Sequence, residues 1–89
     1  MDREELRKTL DKIGKQHVNM YGVHGFNKYA LQHPPEDGEY IFDRESGKWV
    51  IYQFKDGTRI DEKSFTDEDE ACHYFLEWII GYHKLGTVE

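Results

Sequence analysis

Residues 47–79, GKWVIYQFKDGTRIDEKSFTDEDEACHYFLEWI, decide the fold. Two aromatic and β-branched runs, KWVIYQFK and TRIDEKSF, flank Asp56-Gly57. That dipeptide suits a type I′ hairpin turn, in which both central residues need positive φ. A two-residue loop there sets Lys55 opposite Thr58, and so predicts Phe54 opposite Arg59, Tyr52 opposite Asp61 and Val50 opposite Lys63. Residues directly opposite one another project to the same face. One face then carries Trp49, Ile51, Gln53, Ile60 and Glu62, and the other Val50, Tyr52, Phe54, Arg59, Asp61 and Lys63. The Trp49 face is the better core, because Tyr52 and Phe54 stand among charges. A one-residue slip would exchange the two faces.

The flanking segments extend this hairpin. EYIFD (39–43) reads as another strand, joined through RESG (44–47), and an even loop places Tyr40 and Phe42 with Trp49 and Ile51. After the hairpin, Thr66 and Asp69 fit a helix cap in which a hydroxyl and a carboxylate satisfy free amides. Ala71, Phe75, Trp78, Ile79 and Tyr82 follow at helical spacing, widened by Cys72 and Leu76, with Gly86 as the stop. Near the other end, Asp2 to about Lys15 reads as an amphipathic helix. Leu6, Leu10 and Ile13 form its apolar stripe, Asp2 and Glu5 a capping box, and Gly14 its end. Residues 17–39 hold two short apolar runs, VNMYGV (18–23) and KYALQH (28–33), broken by Gly22, Gly25 and Pro34-Pro35. They predict one strand, with the rest loop. The expected fold is α+β: one domain over 1–89, a three- to four-stranded antiparallel sheet, and the N- and C-terminal helices on one face.

Composition narrows the function. The chain of 89 residues carries 18 acidic against 12 basic side chains, a net charge of −6. This balance disfavours a phosphate-binding surface, whose affinity comes from Lys and Arg. It favours a basic partner, although net charge also serves solubility. A single cysteine, Cys72, permits no internal disulfide and points to a reducing compartment. The start, MDREELRKTLDKIG, has no apolar segment of the kind a signal peptide needs, and no apolar run has the length of a membrane span. Both features point to the cytoplasm.

Candidate chemistry is sparse. The five histidines show no H-x3-H or H-E-x-x-H spacing, and no C-x2-C occurs, so no metal or cofactor is expected. Cys72 and His73 are neighbours on a helix and do not face one another. The glycines of YGVHGF (21–26) lack the strand-to-helix setting of a phosphate loop. Nothing pairs a raised-pKa acid with a base, so no enzyme is expected. The run Asp67-Glu68-Asp69-Glu70 complements a helix dipole, with a second use as an anionic contact patch beside Asp61 and Glu62.

One combination has a likeness. A Trp-x-[Val/Ile]-Tyr strand, a Gly-containing turn, a Phe and an acidic run leading into EACHYFLEWI resemble small immunity proteins of bacterial polymorphic-toxin and contact-dependent growth inhibition systems. The matching positions are Trp49, Ile51, Tyr52, Gly57, Phe65, Glu68, Glu70, Ala71, Cys72, Tyr74, Phe75 and Leu76, in about the last half of the chain. The family's Glu-Arg before the turn glycine is Lys55-Asp56 here, so no role of that pair transfers. The resemblance implies a non-catalytic protein that neutralises one cognate toxin, commonly a nuclease, by tight binding in the cytoplasm. Two other classes remain: a regulatory or adaptor module with an ordinary cellular partner, and an acidic mimic of nucleic acid. The expected partner surface is the outer sheet face, Tyr52, Phe54, Arg59, Asp61 and Lys63, extended to Asp67, Glu68 and Asp69. Exposed aromatic clusters of this kind mark interfaces. The competing expectation is that residues 17–39 fold across this face and cover it.

Overall fold

The computed structural model describes residues 1–14, 17–22, 30–31 and 33–87, with side chains through residue 81. Asp56 and Gly57 sit at φ of 53° and 76°, and Ser46 and Gly47 at 51° and 77°. Both tight turns therefore have two residues in the left-handed region, matching the twist of the strands they join. They connect β2 (Tyr40–Glu45), β3 (Lys48–Lys55) and β4 (Thr58–Phe65) into an antiparallel meander. The short β1 (Val18–Met20) lies outside β2, giving the sheet order β1-β2-β3-β4. Two helices complete the chain, α1 (Arg3–Lys12) and α2 (Glu68–Thr87).

The fold class is α+β, as expected, but the sheet is mixed. β1 runs parallel to β2, pairing Val18 with Tyr40 and Met20 with Phe42. A parallel neighbour needs a crossover of a dozen or more residues, and residues 21–39 supply that length. Leu31, within this crossover, packs against Ile41, Val50 and Tyr52. The candidate strand 28–33 lies mostly outside the described residues, as do the glycines of 21–26.

The helices begin where carboxylates meet free amides. Asp2 caps α1 with a full capping box: its carboxylate accepts from the Glu5 N–H at 2.9 Å, and the Glu5 carboxylate accepts from the Asp2 N–H. The helix stops sooner than Lys15, with Ile13 as C-cap and Gly14 at φ 80°, so Ile13 is left 45% exposed instead of joining the stripe. At α2 the cap is one residue later than expected. Asp67, not Thr66, accepts from the Glu70 N–H at 3.1 Å. A carboxylate there also complements the helix dipole. Beyond the stripe, α2 runs through Gly86 to Thr87, and the Tyr82 side chain lies outside the described residues.

Both helices cover one side of the sheet. Leu6 and Leu10 from α1 and Ala71, Cys72, Phe75 and Ile79 from α2 bury against Val18, Met20, Phe42, Trp49 and Ile51. Phe42 and Phe75 meet edge-to-face at 5.3 Å, and Tyr40 meets Trp78 the same way at 5.0 Å. Each such pair contributes about 0.5–1.5 kcal/mol beyond area burial. Arg3 fastens the layers together. Its Nε donates to Glu68 of α2 at 3.0 Å, its Nη1 donates to the Tyr21 carbonyl at 2.9 Å, and its guanidinium lies 4.9 Å from the Trp49 ring.

The hairpin register departs from expectation halfway along β4. Lys55 faces Thr58, Phe54 faces Arg59 and Gln53 faces Ile60, but Ile51 then faces Lys63, Val50 faces Ser64 and Trp49 faces Phe65. Asp61 and Glu62 thus stand against Tyr52 alone. This is a β-bulge, with Asp61 at φ 56°. Its effect is to reverse the alternation, which turns Phe65 to the helix side, where it packs 5.2 Å from the Tyr74 ring. Without the bulge Phe65 would face the other way. The left-handed conformation at Asp61 predicts opposite outcomes for two substitutions. Asp61→Val should lose about 1–2 kcal/mol in urea unfolding, while Asp61→Gly should hold or raise stability. Equal losses in both would argue against the bulge.

Candidate functional site

The outer face of the sheet begins as a second, smaller core. Ile41, Val50 and Tyr52 are buried there, with Leu31 and Phe54 packed against them. Tyr52 is 2% exposed, which corrects the expectation of a partly exposed aromatic anchor. The competing expectation holds at this point: a residue of the crossover lies on this face. Burial pushes the Tyr52 phenol pKa up, partly opposed by the nearby Arg59 cation.

Over that ring lies Arg59. Its guanidinium carbon is 4.2 Å from the Tyr52 ring centroid. Nη1 and Nη2 make a two-pronged contact with the Glu45 carboxylate at 2.9 and 2.5 Å, and Nη1 reaches Glu62 at 3.4 Å. A planar guanidinium meeting a carboxylate edge-on and an aromatic face-on uses both of its recognition modes. The pair holds the Glu45 carboxyl below its usual range and raises Arg59 further. Asp43, on the same face opposite Val50, is pushed up by burial.

The expected site residues fall into distinct groups. Tyr52, Phe54 and Arg59 come together, Tyr52 as a floor, Phe54 half-buried beside it and Arg59 on top. Asp61 is exposed on the bulge. Lys63 is displaced: it pairs with Ile51 and so leaves the outer face, where Ser64 takes the place opposite Val50. Glu62 moves the other way. Expected on the core face, it reaches Arg59 instead.

At the head of α2 the acids divide their tasks. Asp67 caps the helix, and half-buried Glu68 accepts from the Arg3 N–H and Nε, both at 3.0 Å. Asp69 is exposed and meets the Met1 ammonium and, at 3.3 Å, His73 Nε2. These partners hold the Asp69 carboxyl below its usual range, the Met1 hydrogen bond first among them. Glu70 stands in solvent. Glu68 is thus a structural clasp, whereas the exposed acids Asp61 and Glu62 of β4 and Asp67, Asp69 and Glu70 at the start of α2 are taken together as the acidic rim.

Glu45 and Asp43 were missed in the sequence although their signal was present. If Tyr40 and Phe42 point to the core, then Ile41, Asp43 and Glu45 must alternate outward. Cys72 is buried in the core, and burial pushes its thiol up to about 12. Burial of this kind disfavours the thiolate, which is the nucleophilic form. Exposed His73 turns away toward Asp69. No helix among the described residues is long and apolar enough to cross a membrane.

Comparison of the chain with protein-family models, with characterised proteins and with solved structures gives no match.

The position of Tyr52 leads to a measurable distinction. Tyr52→Ala should cost about 3–5 kcal/mol in denaturant unfolding, the cost of emptying a buried aromatic site. A surface anchor would change stability by no more than about 0.5 kcal/mol. A loss in that small range would return Tyr52 to the surface.

Proposed function

We propose that this protein is a non-catalytic, immunity-type inhibitor that binds a basic toxin domain, one that cleaves nucleic acid, in the cytoplasm. The observation that carries this reading is the exposed acidic rim, Asp61, Glu62, Asp67, Asp69 and Glu70. Two of its members have fixed backbones: Asp61 occupies the bulge, and Asp67 caps α2. A side chain whose backbone is already fixed has less freedom to lose on binding, which lowers the cost of association. Opposite charge on the partner speeds encounter and disfavours wrong partners.

The likeness of residues 49–76 to immunity proteins supports the same reading, and its matched positions are mainly structural: Trp49, Ile51, Ala71, Cys72 and Phe75 are all core. The rim and the Arg59 cluster are specific to the surface. Phe54, half-buried beside Arg59, is the aromatic group best placed to touch a partner.

The test is co-expression with a toxin domain, sought first in the reading frame next to this one. Growth should be restored by the wild-type protein, and the purified pair should associate in a salt-dependent way. Glu62→Lys with Glu70→Lys should slow association about 10-fold or more at low salt, without loss of the fold. Death of the cells with and without this protein would end the immunity reading. Rescue with no change in association rate for the double variant would move the contact off the rim.

A further inference from the structure

The crossover returns to the sheet through HPPEDGE (33–39), a turn that the acidic rim does not include. At its end the Glu39 side chain is only 10% exposed, and carboxylates are seldom so buried without compensation. Its Oε1 accepts from the Glu36 N–H at 2.9 Å and from Asn19 Nδ2 at 3.3 Å. Asn19 is itself fully buried and also donates to the His33 carbonyl at 2.8 Å. The other oxygen, Oε2, faces His33 Nε2 at 3.2 Å.

The imidazole orientation gives this contact its meaning. His33 Nδ1 lies 2.8 Å from the Pro34 carbonyl, which can only accept, so Nδ1 carries a hydrogen. In the neutral ring Nε2 is then a lone pair. A lone pair and a carboxylate oxygen cannot face one another at 3.2 Å without a cation between them. A proton on Nε2 meets that need, and so does a metal ion. Two ligands on a tetrahedral ion at ~2.0–2.1 Å stand about 3.3 Å apart, close to the spacing found here. Glu36 adds a third donor. One ligand atom from each of His33, Glu36 and Glu39 lies within 4.8 Å of the others; the Glu36 carboxylate stands 4.0 Å from Nδ1 and its side chain, 74% exposed, has room to swing toward Nε2.

We propose that His33 Nε2 and the carboxylates of Glu36 and Glu39 bind a divalent ion of the zinc class. One nitrogen and two carboxylate oxygens leave a fourth position for water, a pattern zinc accepts. The imidazole disfavours magnesium and calcium, which take oxygen ligands. The surrounding bonds are those a metal site needs: Nδ1–H on a carbonyl fixes the tautomer, and the Asn19 amide and Glu36 N–H orient the Glu39 carboxylate. Bound metal ties the crossover to the edge strand β1 through Asn19. The site shares no residue with the acidic rim and does not rest on the immunity reading.

The test titrates zinc chloride into chelator-treated full-length protein in a non-coordinating buffer, followed by calorimetry and thermal unfolding. One ion should bind per chain and raise the Tm. Cobalt at the same site should show the absorption bands of a tetrahedral ion. His33→Ala and Glu36→Gln should each weaken zinc binding about 10-fold or more, while His73→Ala, at an exposed His–Asp pair, should leave it unchanged. Glu36 is on the surface, so its variant keeps the fold whatever becomes of His33. Zinc that fails to bind, or that binds wild type and Glu36→Gln alike, overturns the site and leaves a proton as the cation between His33 and Glu39.

Discussion

The central strand of this protein is apolar on both sides, and that one constraint organises everything around it. Trp49 and Ile51 bury under the helices, while Val50 and Tyr52 bury on the opposite face. A strand with two apolar faces cannot leave either in water. α1 and α2 satisfy the first. The second is met by the crossover, whose Leu31 lies on Val50 and Tyr52, and by Arg59 laid over the Tyr52 ring. The parallel pairing of β1 with β2 goes with the same long connection, since parallel neighbours cannot be joined by a tight turn. The charged cluster of Arg59, Glu45 and Glu62 is then the outer surface of a small core, and not a set of charges around an exposed aromatic.

Much of this was legible in the residues. Asp-Gly and Ser-Gly turns fixed both hairpins, since few dipeptides tolerate two successive positive φ values. Asp2 with Glu5 announced α1, and the Ala71–Phe75–Ile79 stripe announced α2. Two features were harder. The unbroken run Trp49-Val50-Ile51-Tyr52 is the signature of burial on both faces, and reading it as simple alternation left Tyr52 outside. The bulge was hidden because Asp61-Glu62 carries no glycine. Its trace is Phe65, an aromatic out of phase with the alternation counted from Asp56-Gly57.

The remaining gap concerns the turn at 33–39. A scan for paired His and Cys ligands passes over H-x2-E-x2-E, because carboxylates are abundant in an acidic chain and most are solvated. What distinguishes Glu39 is burial beside Asn19, a property of the tertiary fold. The cap of α2 shifted by one residue for a similar reason: Thr66 and Asp67 are both good capping types, and the chain's exit from β4 decides between them.

The surface that results has a buried aromatic floor and a charged edge, which under the proposed function would meet a basic protein partner. Hydrogen–deuterium exchange of the free protein against its complex with the proposed toxin partner tests this most directly. The account predicts added protection concentrated in β4 and the first turn of α2, residues 59–70, with α1 unchanged. Protection centred on α1 and absent from β4 would contradict it.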